Sequence, residues 1–405
     1  MKRSRVVVRT VLAAACATAL AAGGPGTPAG ASGGGRAANP APAGAETRAE
    51  RPCGGPNGIA WYAGTGFYED NPTYVDASGS GGWKASSPAA EGLDARILQR
   101  GIARLASNDS LLSVLIVRHG HLVEERYFHG GAADHANNVH SASKSMDQAL
   151  IRIAIQHGFI HSVEDRVATY LPQYFAGAPA SERAITIGDL LTMSSGLHWV
   201  EDNTEYRIQA TANWLAAILG QKMRNRPGTR FNYSTGDFHV LSAVIQAATG
   251  MSTCQFAQRY LFGPLGIVPQ HWGVDPTSGT DMGGCDLYMT PRDMARFGLL
   301  YLHHGMWDGR RVVPEAAIRA AARPTWNVGG GFAYSQGWWV RRISGRDMFF
   351  AWGFDGQFIY VIPSLDVVFV TSEDTADGSR HTEIDSGGFI QHFLIPSITA
   401  PGGRA

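Results

Sequence analysis

A serine and a lysine three residues apart, Ser141 and Lys144, are the residues of this chain whose types and spacing best suit chemistry. A serine hydroxyl is a poor nucleophile at neutral pH unless a base takes its proton. Residues three apart on a helix share a face, so both side chains would point into one space if a helix begins at Ser141. A buried lysine can lose its proton and act as that base. The pair therefore predicts attack of Ser141 on a carbonyl carbon.

The same spacing has an ordinary structural explanation, in which the serine caps a helix and the lysine lies in solvent. Lysine is scarce in this chain, however, since it occurs at positions 2, 84, 144 and 222 beside many arginines. A lysine placed this way at the start of an apolar helix favours the catalytic interpretation. The unpaired N–H groups at the start of such a helix would also stabilise the charge that develops on an attacked carbonyl oxygen.

Two further segments could complete the site. Tyr233 lies on a predicted turn before the apolar helix 240–248, where its hydroxyl could relay a proton, although a half-buried structural tyrosine is the competing interpretation. The second segment, 352–358, contains Gly353 and Gly356. Glycines at a strand edge let a substrate approach the backbone closely, although a simple hairpin turn would also explain them.

The elements that must position these residues predict an α/β (α+β) fold. Helices are expected at 92–106 and 143–157, with a hairpin of strands 113–117 and 122–127 between them. Helical patterns dominate from about 175 to 290, and strands return after residue 330. We therefore expect one antiparallel sheet built from distant segments, flanked by helices, with an inserted helical domain. The later elements are strands at 337–340, 347–351, 358–362 and 367–371 and a last helix near 384–394.

The charge and the N-terminal segment limit the classes of function. The chain has 34 basic and 34 acidic residues, a balance that argues against a nucleic-acid or acidic-membrane partner. A basic start, an apolar run at 10–22 and the small residues 29–31 predict a signal peptide over residues 1–31. The run is too short to span a bilayer, although an uncleaved anchor stays an alternative. We expect a secreted protein with no membrane association beyond export.

The composition of the rest of the chain predicts a linker, an N-terminal extension and one catalytic domain. Residues 32–55 are dominated by Gly, Ala and Pro and predict a disordered linker. Residues 56–90 contain several aromatic residues and are expected to be an N-terminal extension packed on the domain. Residues 91–398 are expected to form the catalytic domain, with an α/β part at about 91–175 and 290–398 and a helical part at about 176–289.

Three cysteines would remain after cleavage of the signal peptide: Cys53, Cys254 and Cys285. An exported protein can keep disulfides. We expect Cys254 to pair with Cys285, because both fall in the same predicted region, and one thiol to be left over. The spacing of Cys and His residues predicts no metal site, and the chemistry requires no cofactor.

As an ordered set, Ser-x-x-Lys at 141–144, Tyr-Ser-Thr-Gly-Asp at 233–237 and the later glycine-rich strand resemble the serine β-lactamase and penicillin-binding protein superfamily. The chain is most similar to the class C-like branch, which includes esterases and 6-aminohexanoate-dimer hydrolases. The resemblance covers about residues 90–395 and implies an α/β sandwich beside a helical domain, with the site between them. Segments 185–197, 263–266 and 288–298 support it.

Carried over to this sequence, the resemblance implies that Ser141 is the nucleophile, Lys144 its lysine and Tyr233 the tyrosine base. The oxyanion donors would be the backbone N–H groups of Ser141 and Gln357. The positions expected to bind substrate are Trp199, Glu201, Asp202, Thr235, Trp352, Gly353, Phe354 and Gly356.

Two departures from the family pattern bear on the substrate. Thr235 stands where many relatives have Asn, and it still offers a hydroxyl. Phe354 stands where β-lactamases and penicillin-binding enzymes have Lys or His, which favours an ester or a small amide over a β-lactam or a peptidoglycan peptide. Glu201 and Asp202 could attract an amine of the substrate, but ordinary solvated loop acids are the expected interpretation.

Other classes of function fit the sequence less well. The Gly-x-Ser-x-Gly elbow of an α/β-hydrolase occurs once, at 30–34, within the predicted cleavage site and linker. A metallohydrolase of the His-Glu-x-x-His type is excluded because the sequence lacks that motif. A non-catalytic sensor on the same fold, or a β-lactamase or D,D-peptidase, stays open as an alternative. The sequence predicts a secreted serine hydrolase that forms an acyl-enzyme on Ser141 with a small-molecule ester or amide.

Overall fold

The computed structural model describes residues 83–267, 271–275, 277–375 and 383–399. The predicted signal peptide 1–31, the linker 32–55 and the extension up to residue 82 lie outside the described residues. Among the described residues, none of the helices combines the length and the apolarity that crossing a bilayer would require.

The predicted single antiparallel sheet is present, and it has eight strands, of which those at 326–329 and 332–335 were not predicted. The described strands, including five outside this sheet, are in chain order β1 Leu111–Arg118, β2 His121–Tyr127, β3 Asn137–Asn138, β4 His271–Trp272, β5 Leu287–Met289, β6 Met306–Trp307, β7 Arg310–Arg311, β8 Trp326–Gly329, β9 Phe332–Ser335, β10 Trp338–Ile343, β11 Arg346–Gly353, β12 Gln357–Ile362 and β13 Val367–Glu373. The large sheet has the order β2-β1-β13-β12-β11-β10-β9-β8. Because β1 pairs with β13, in register Leu115 to Val370, the sheet joins distant parts of the chain.

Helices surround the sheet and fill the middle of the chain. They are α1 Ala95–Leu105, α2 Ser143–Gln156, α3 Val167–Tyr170, α4 Ala180–Arg183, α5 Ile187–Leu191, α6 Glu201–Gln209, α7 Trp214–Leu219, α8 Thr235–Thr249, α9 Thr253–Ala257, α10 Gly263–Leu265, α11 Pro291–Leu302, α12 Glu315–Ala322, α13 Ser386–Phe389 and α14 Ile395–Thr399. The predicted helices 92–106 and 143–157 therefore correspond to α1 and α2.

The two faces of the sheet are covered by different helices. Strands β12 and β13 are buried along their whole length, as a strand with covered faces must be. Val368 lies against Gly298 of α11, and the next residue, Phe369, stacks on Phe389 of α13 with ring centroids 4.9 Å apart. Because neighbouring residues of a strand point to opposite faces, α11 and α13 lie on opposite sides of the sheet.

Two local expectations differ from the structure. The helix that carries Lys144 begins at Ser143, and Ser141 lies in a 3-10 turn, His140–Ala142, which leads directly into it. Helix α8 begins at Thr235, earlier than the expected residue 240, because the Ser234 hydroxyl caps it by accepting from the Asp237 N–H at 3.0 Å.

The expected Cys254–Cys285 disulfide is wrong. Cys254 is disulfide-bonded, but Cys285 is a buried thiol and is not its partner. The expectation failed because membership of one region does not bring two Cβ atoms within the roughly 4 Å that a disulfide needs.

Replacing Gly298 by valine should destabilise the protein by about 1–3 kcal/mol, the usual cost of overpacking a core. A Cβ atom at this position would lie 2.6 Å from Val368 Cγ1 and 2.8 Å from Ile359 Cγ2, so α11 would have to move off the sheet. The free energy of unfolding, measured in urea, tests this. Ala316→Val, an exposed site on α12, is the control for placing valine in a helix. Equal losses in the two variants would contradict the close packing of α11.

Candidate active site

The turn that holds Ser141 is constrained by its own backbone. His140 has φ +47°, a left-handed conformation that is uncommon for a residue with a side chain. The Asn138 side chain holds it there by accepting from the His140 N–H at 2.8 Å. Ser141 is only 3% exposed, so its hydroxyl is presented inside the protein.

Lys144 is buried and makes three hydrogen bonds through its amine. Nζ lies 2.9 Å from Ser141 Oγ, 2.9 Å from Thr235 Oγ1 and 2.5 Å from the Gly284 carbonyl oxygen. These three groups supply the hydrogen bonds that a buried amine needs in place of water. With Lys144 only 1% exposed, the alternative of a lysine in solvent is excluded.

The carbonyl of Gly284 can reach Lys144 because this residue has no side chain. A Cβ atom at Gly284 would lie 2.6 Å from Thr235 Cγ2 and 2.7 Å from the Thr235 carbonyl oxygen. This segment was not among the predicted site residues. The signal for it was the Gly283-Gly284 dipeptide, since adjacent glycines often mark a close approach of backbone to another group.

Glu201 is part of the same network, and its expected position in solvent is wrong. It is 7% exposed and accepts hydrogen bonds from the Trp199 indole N–H and the Thr235 hydroxyl, and from the Thr235 backbone N–H at 3.0 Å. The helix α6 begins at this residue and directs its side chain inward. The side chain of Asp202 lies outside the described part of the chain.

Tyr233 lies beside the amine within a group of aromatic rings. Lys144 Nζ is 5.1 Å from the centre of its ring, and Trp339 stacks on the ring with centroids 5.9 Å apart. Burial raises the pKa of Tyr233 well above its ordinary value, and the charge of Glu201 raises it further, whereas the nearby Ser141 hydroxyl lowers it. The raised pKa favours the neutral phenol of Tyr233 in the resting site.

The glycine-containing segment lies against the turn of the nucleophile. Gly353 ends β11, and a Cβ atom there would lie 2.1 Å from the carbonyl oxygen of Val139, two residues before Ser141. The segment is also a hairpin turn, since Gly353 pairs with Gln357 at the start of β12. The hairpin-turn interpretation is therefore confirmed, and the approach of a substrate to these glycines stays a prediction.

The remaining expected residues of this segment are buried around the turn. The Phe354 ring meets the His140 ring edge-on at 5.7 Å, and Trp352 donates to Glu383 Oε2 at 2.9 Å. Gly356 has φ +84° and completes the turn. The Gln357 side-chain amide donates to the Glu373 carbonyl oxygen at 2.7 Å, and the role of its backbone N–H as an oxyanion donor stays a prediction.

The arrangement contains the groups for acyl transfer and, within the described ranges, no cluster of three His, Cys, Asp or Glu residues that could hold a metal ion. A buried amine contacts a serine hydroxyl, and a phenol lies beside the amine. Such a set can take a proton from the nucleophile and return it to a leaving group.

Known proteins resemble this chain in sequence and in fold. A curated 6-aminohexanoate-dimer hydrolase of Paenarthrobacter ureafaciens is 22% identical over 295 residues, which cover 66% of this chain and 74% of that protein. An uncharacterized protein of Alkalihalophilus pseudofirmus is 23% identical over 236 residues, 51% of this chain; the chain covers only 63% of that relative.

A solved structure from Bacillus anthracis, provisionally named a 6-aminohexanoate-dimer hydrolase, superposes with a TM-score of 0.63 at 20% identity, covering 77% of this chain and 86% of its own. At this identity the likeness establishes the fold, and it confirms the α/β architecture that the resemblance implied. The family model described as Beta-lactamase matches residues 106–383. The chain therefore belongs to the β-lactamase family.

Proposed function

We propose that this hydrolase of the β-lactamase family forms an acyl-enzyme on Ser141 and hydrolyses an ester or a small linear amide. The observation that carries the proposal is the buried contact of 2.9 Å between Lys144 Nζ and Ser141 Oγ. A hydroxyl in that contact has a base for its proton at the moment of attack.

The reaction divides into two acyl transfers. Ser141 Oγ bonds to the carbonyl carbon while its proton moves to the neutral amine of Lys144. The tetrahedral intermediate then breaks its bond to the leaving oxygen or nitrogen, which receives a proton through the Tyr233 phenol. Water attacks the resulting ester of Ser141 with Lys144 again as base, and the acid leaves.

The state of Tyr233 determines its part in this reaction. The resemblance implied a tyrosine base, which would need a phenolate, but the raised pKa of Tyr233 favours the neutral phenol at neutral pH. A phenol can donate its proton to the leaving group and regain one from Lys144. We therefore place Lys144 as the base and Tyr233 as the relay.

The surroundings favour a substrate without a carboxylate near the reacting carbonyl. Phe354, not a cation, stands where the family's carboxylate-binding residue is expected, and the neighbouring acid Glu201 is buried. Tyr233, Tyr334 and Trp339 contribute apolar surface nearby. The similarity to a 6-aminohexanoate-dimer hydrolase supports a linear amide, and the aromatic surroundings suit a small ester equally well.

We also propose that the protein is secreted through the signal peptide 1–31. The disulfide at Cys254 supports this, because disulfides persist in oxidising compartments outside the cytosol. The balanced charge argues against a nucleic-acid partner.

A non-catalytic binding protein on the same fold is the alternative of a different class. A fluorophosphonate probe should label the wild-type protein, because it reacts with an activated serine, and Ser141→Ala should abolish that labelling. Intact mass of the labelled protein is the measurement. A wild-type chain that stays unlabelled would favour the binding protein.

Loss of the Lys144 amine should remove the base. We expect Lys144→Ala to lower kcat for p-nitrophenyl esters by at least ~100-fold, the low end for a lost general base. The exposed Lys222 provides a matched control, because Lys222→Ala removes the same side chain away from the site. A near-normal kcat in Lys144→Ala would exclude Lys144 as the base.

Tyr233→Phe separates the relay from the aromatic packing, because it removes only the hydroxyl. Turnover of a short linear amide should fall by about 100-fold, in the usual range for a lost proton donor, since an amine leaves only when protonated. A p-nitrophenyl ester should lose much less, because p-nitrophenolate leaves without a proton. Tyr334→Phe, a neighbouring buried tyrosine, is the control. Equal losses on the two substrates would contradict the relay.

A further inference from the structure

We propose that Glu201 is a positioning residue, which acts through the Thr235 hydroxyl to direct the lone pair of Lys144 toward Ser141. The inference rests on the proposed function, because it assigns a role within the same site. It follows from which group donates and which accepts in each hydrogen bond that links Glu201, Thr235, Lys144 and Ser141.

The carboxylate of Glu201 is surrounded by donors. One oxygen, Oε2, receives the Trp199 indole N–H and the Thr235 backbone N–H, groups that can only donate. The other oxygen, Oε1, contacts the Thr235 hydroxyl. An ionised carboxylate can only accept, so the single proton of this hydroxyl points to Glu201.

The oxygen of the Thr235 hydroxyl is consequently left as an acceptor toward Lys144, 2.9 Å away. The Gly284 carbonyl, 2.5 Å from Nζ, can also only accept. A neutral lysine amine has two N–H groups and one lone pair. Both N–H groups are taken by these two acceptors, so the lone pair faces the remaining neighbour, the Ser141 hydroxyl.

This arrangement prepares the proton transfer before the substrate binds. The Ser141 proton can move to Lys144 without rotation of the amine, and a preorganised group avoids the cost of reorienting during the reaction. Both carboxylate oxygens of Glu201 are engaged inside the protein, so Glu201 serves the base and not an amine of the substrate.

Glu201→Gln should reverse the chain of hydrogen bonds while keeping the shape of the side chain. Its amide oxygen can still accept the two N–H groups, but its NH2 group then donates to the Thr235 oxygen. The Thr235 proton must turn toward Lys144 and occupy the lone pair. We expect kcat for p-nitrophenyl acetate to fall about 100-fold, as for a lost general base, with KM changed less than about twofold.

Glu205→Gln is the matched control. Glu205 lies one turn further along α6, is also buried, and its Oε1 is approached by the Cys285 thiol at 3.8 Å. The control removes the same charge from the same helix without touching the Thr235 hydroxyl, and its kcat should stay within about threefold of the wild type. Equal losses of kcat in Glu201→Gln and Glu205→Gln would overturn the proposal.

Thr235→Val tests the hydrogen-bond path from Glu201 to Lys144 at its middle residue, because it removes the hydroxyl and keeps the size of the side chain. It should lower kcat as much as Glu201→Gln, and the double variant should lose no more than either single one, since residues in one network are not additive. Additive losses would contradict a shared path. Thermal unfolding of each variant identifies any that fail to fold, and the remaining single variant then decides.

Failure of this inference is distinguishable from failure of the proposed function. A wild-type protein that neither reacts with a fluorophosphonate nor turns over an ester overturns both. An active wild type with a normal kcat in Glu201→Gln overturns the positioning role alone. A raised KM at unchanged kcat in Glu201→Gln also overturns it, because that result assigns Glu201 to substrate binding.

Discussion

The burial of one lysine amine determines how the rest of this site is built. A charged or polar group removed from water is costly unless hydrogen bonds replace its hydration. Lys144 obtains them from two hydroxyls and a carbonyl, which belong to the turn before α2, the start of α8 and the Gly283-Gly284 segment. Those three parts of the chain must therefore pack together if the lysine is to be buried, and their packing creates the site.

The surrounding strands and helices hold these three parts of the chain together. Strand β11 brings Gly353 against Val139 and so supports the turn of Ser141 from one side. The start of α8 places Thr235 under the amine, and α6 places Glu201 behind Thr235. The glycines at 284 and 353 are needed because backbone, not side chain, makes the close approach at both places.

The proposed chemistry depends on the direction of protons more than on charge. The three hydrogen-bond partners of Lys144 are uncharged groups, and Glu201 reaches the amine only through the Thr235 hydroxyl. In the proposed mechanism, the Tyr233 phenol beside the amine is the donor for the leaving group. These parts would serve the transfer of any acyl group, whereas the substrate would be selected by the residues around them, because such residues differ among proteins of one fold.

The sequence by itself determined the features that lie within one element. The spacing of Ser141 and Lys144, the hairpin of β1 and β2 and the strands β10 to β13 were predicted, because helical and strand periodicity is a local property. The short strands β8 and β9 were not predicted. The tertiary structure alone decided the partners of Lys144, the burial of Glu201 and the exclusion of Cys285 from the disulfide of Cys254. Each of these depends on which distant segments pack together, and no pattern along the chain encodes the distance between two side chains from different elements.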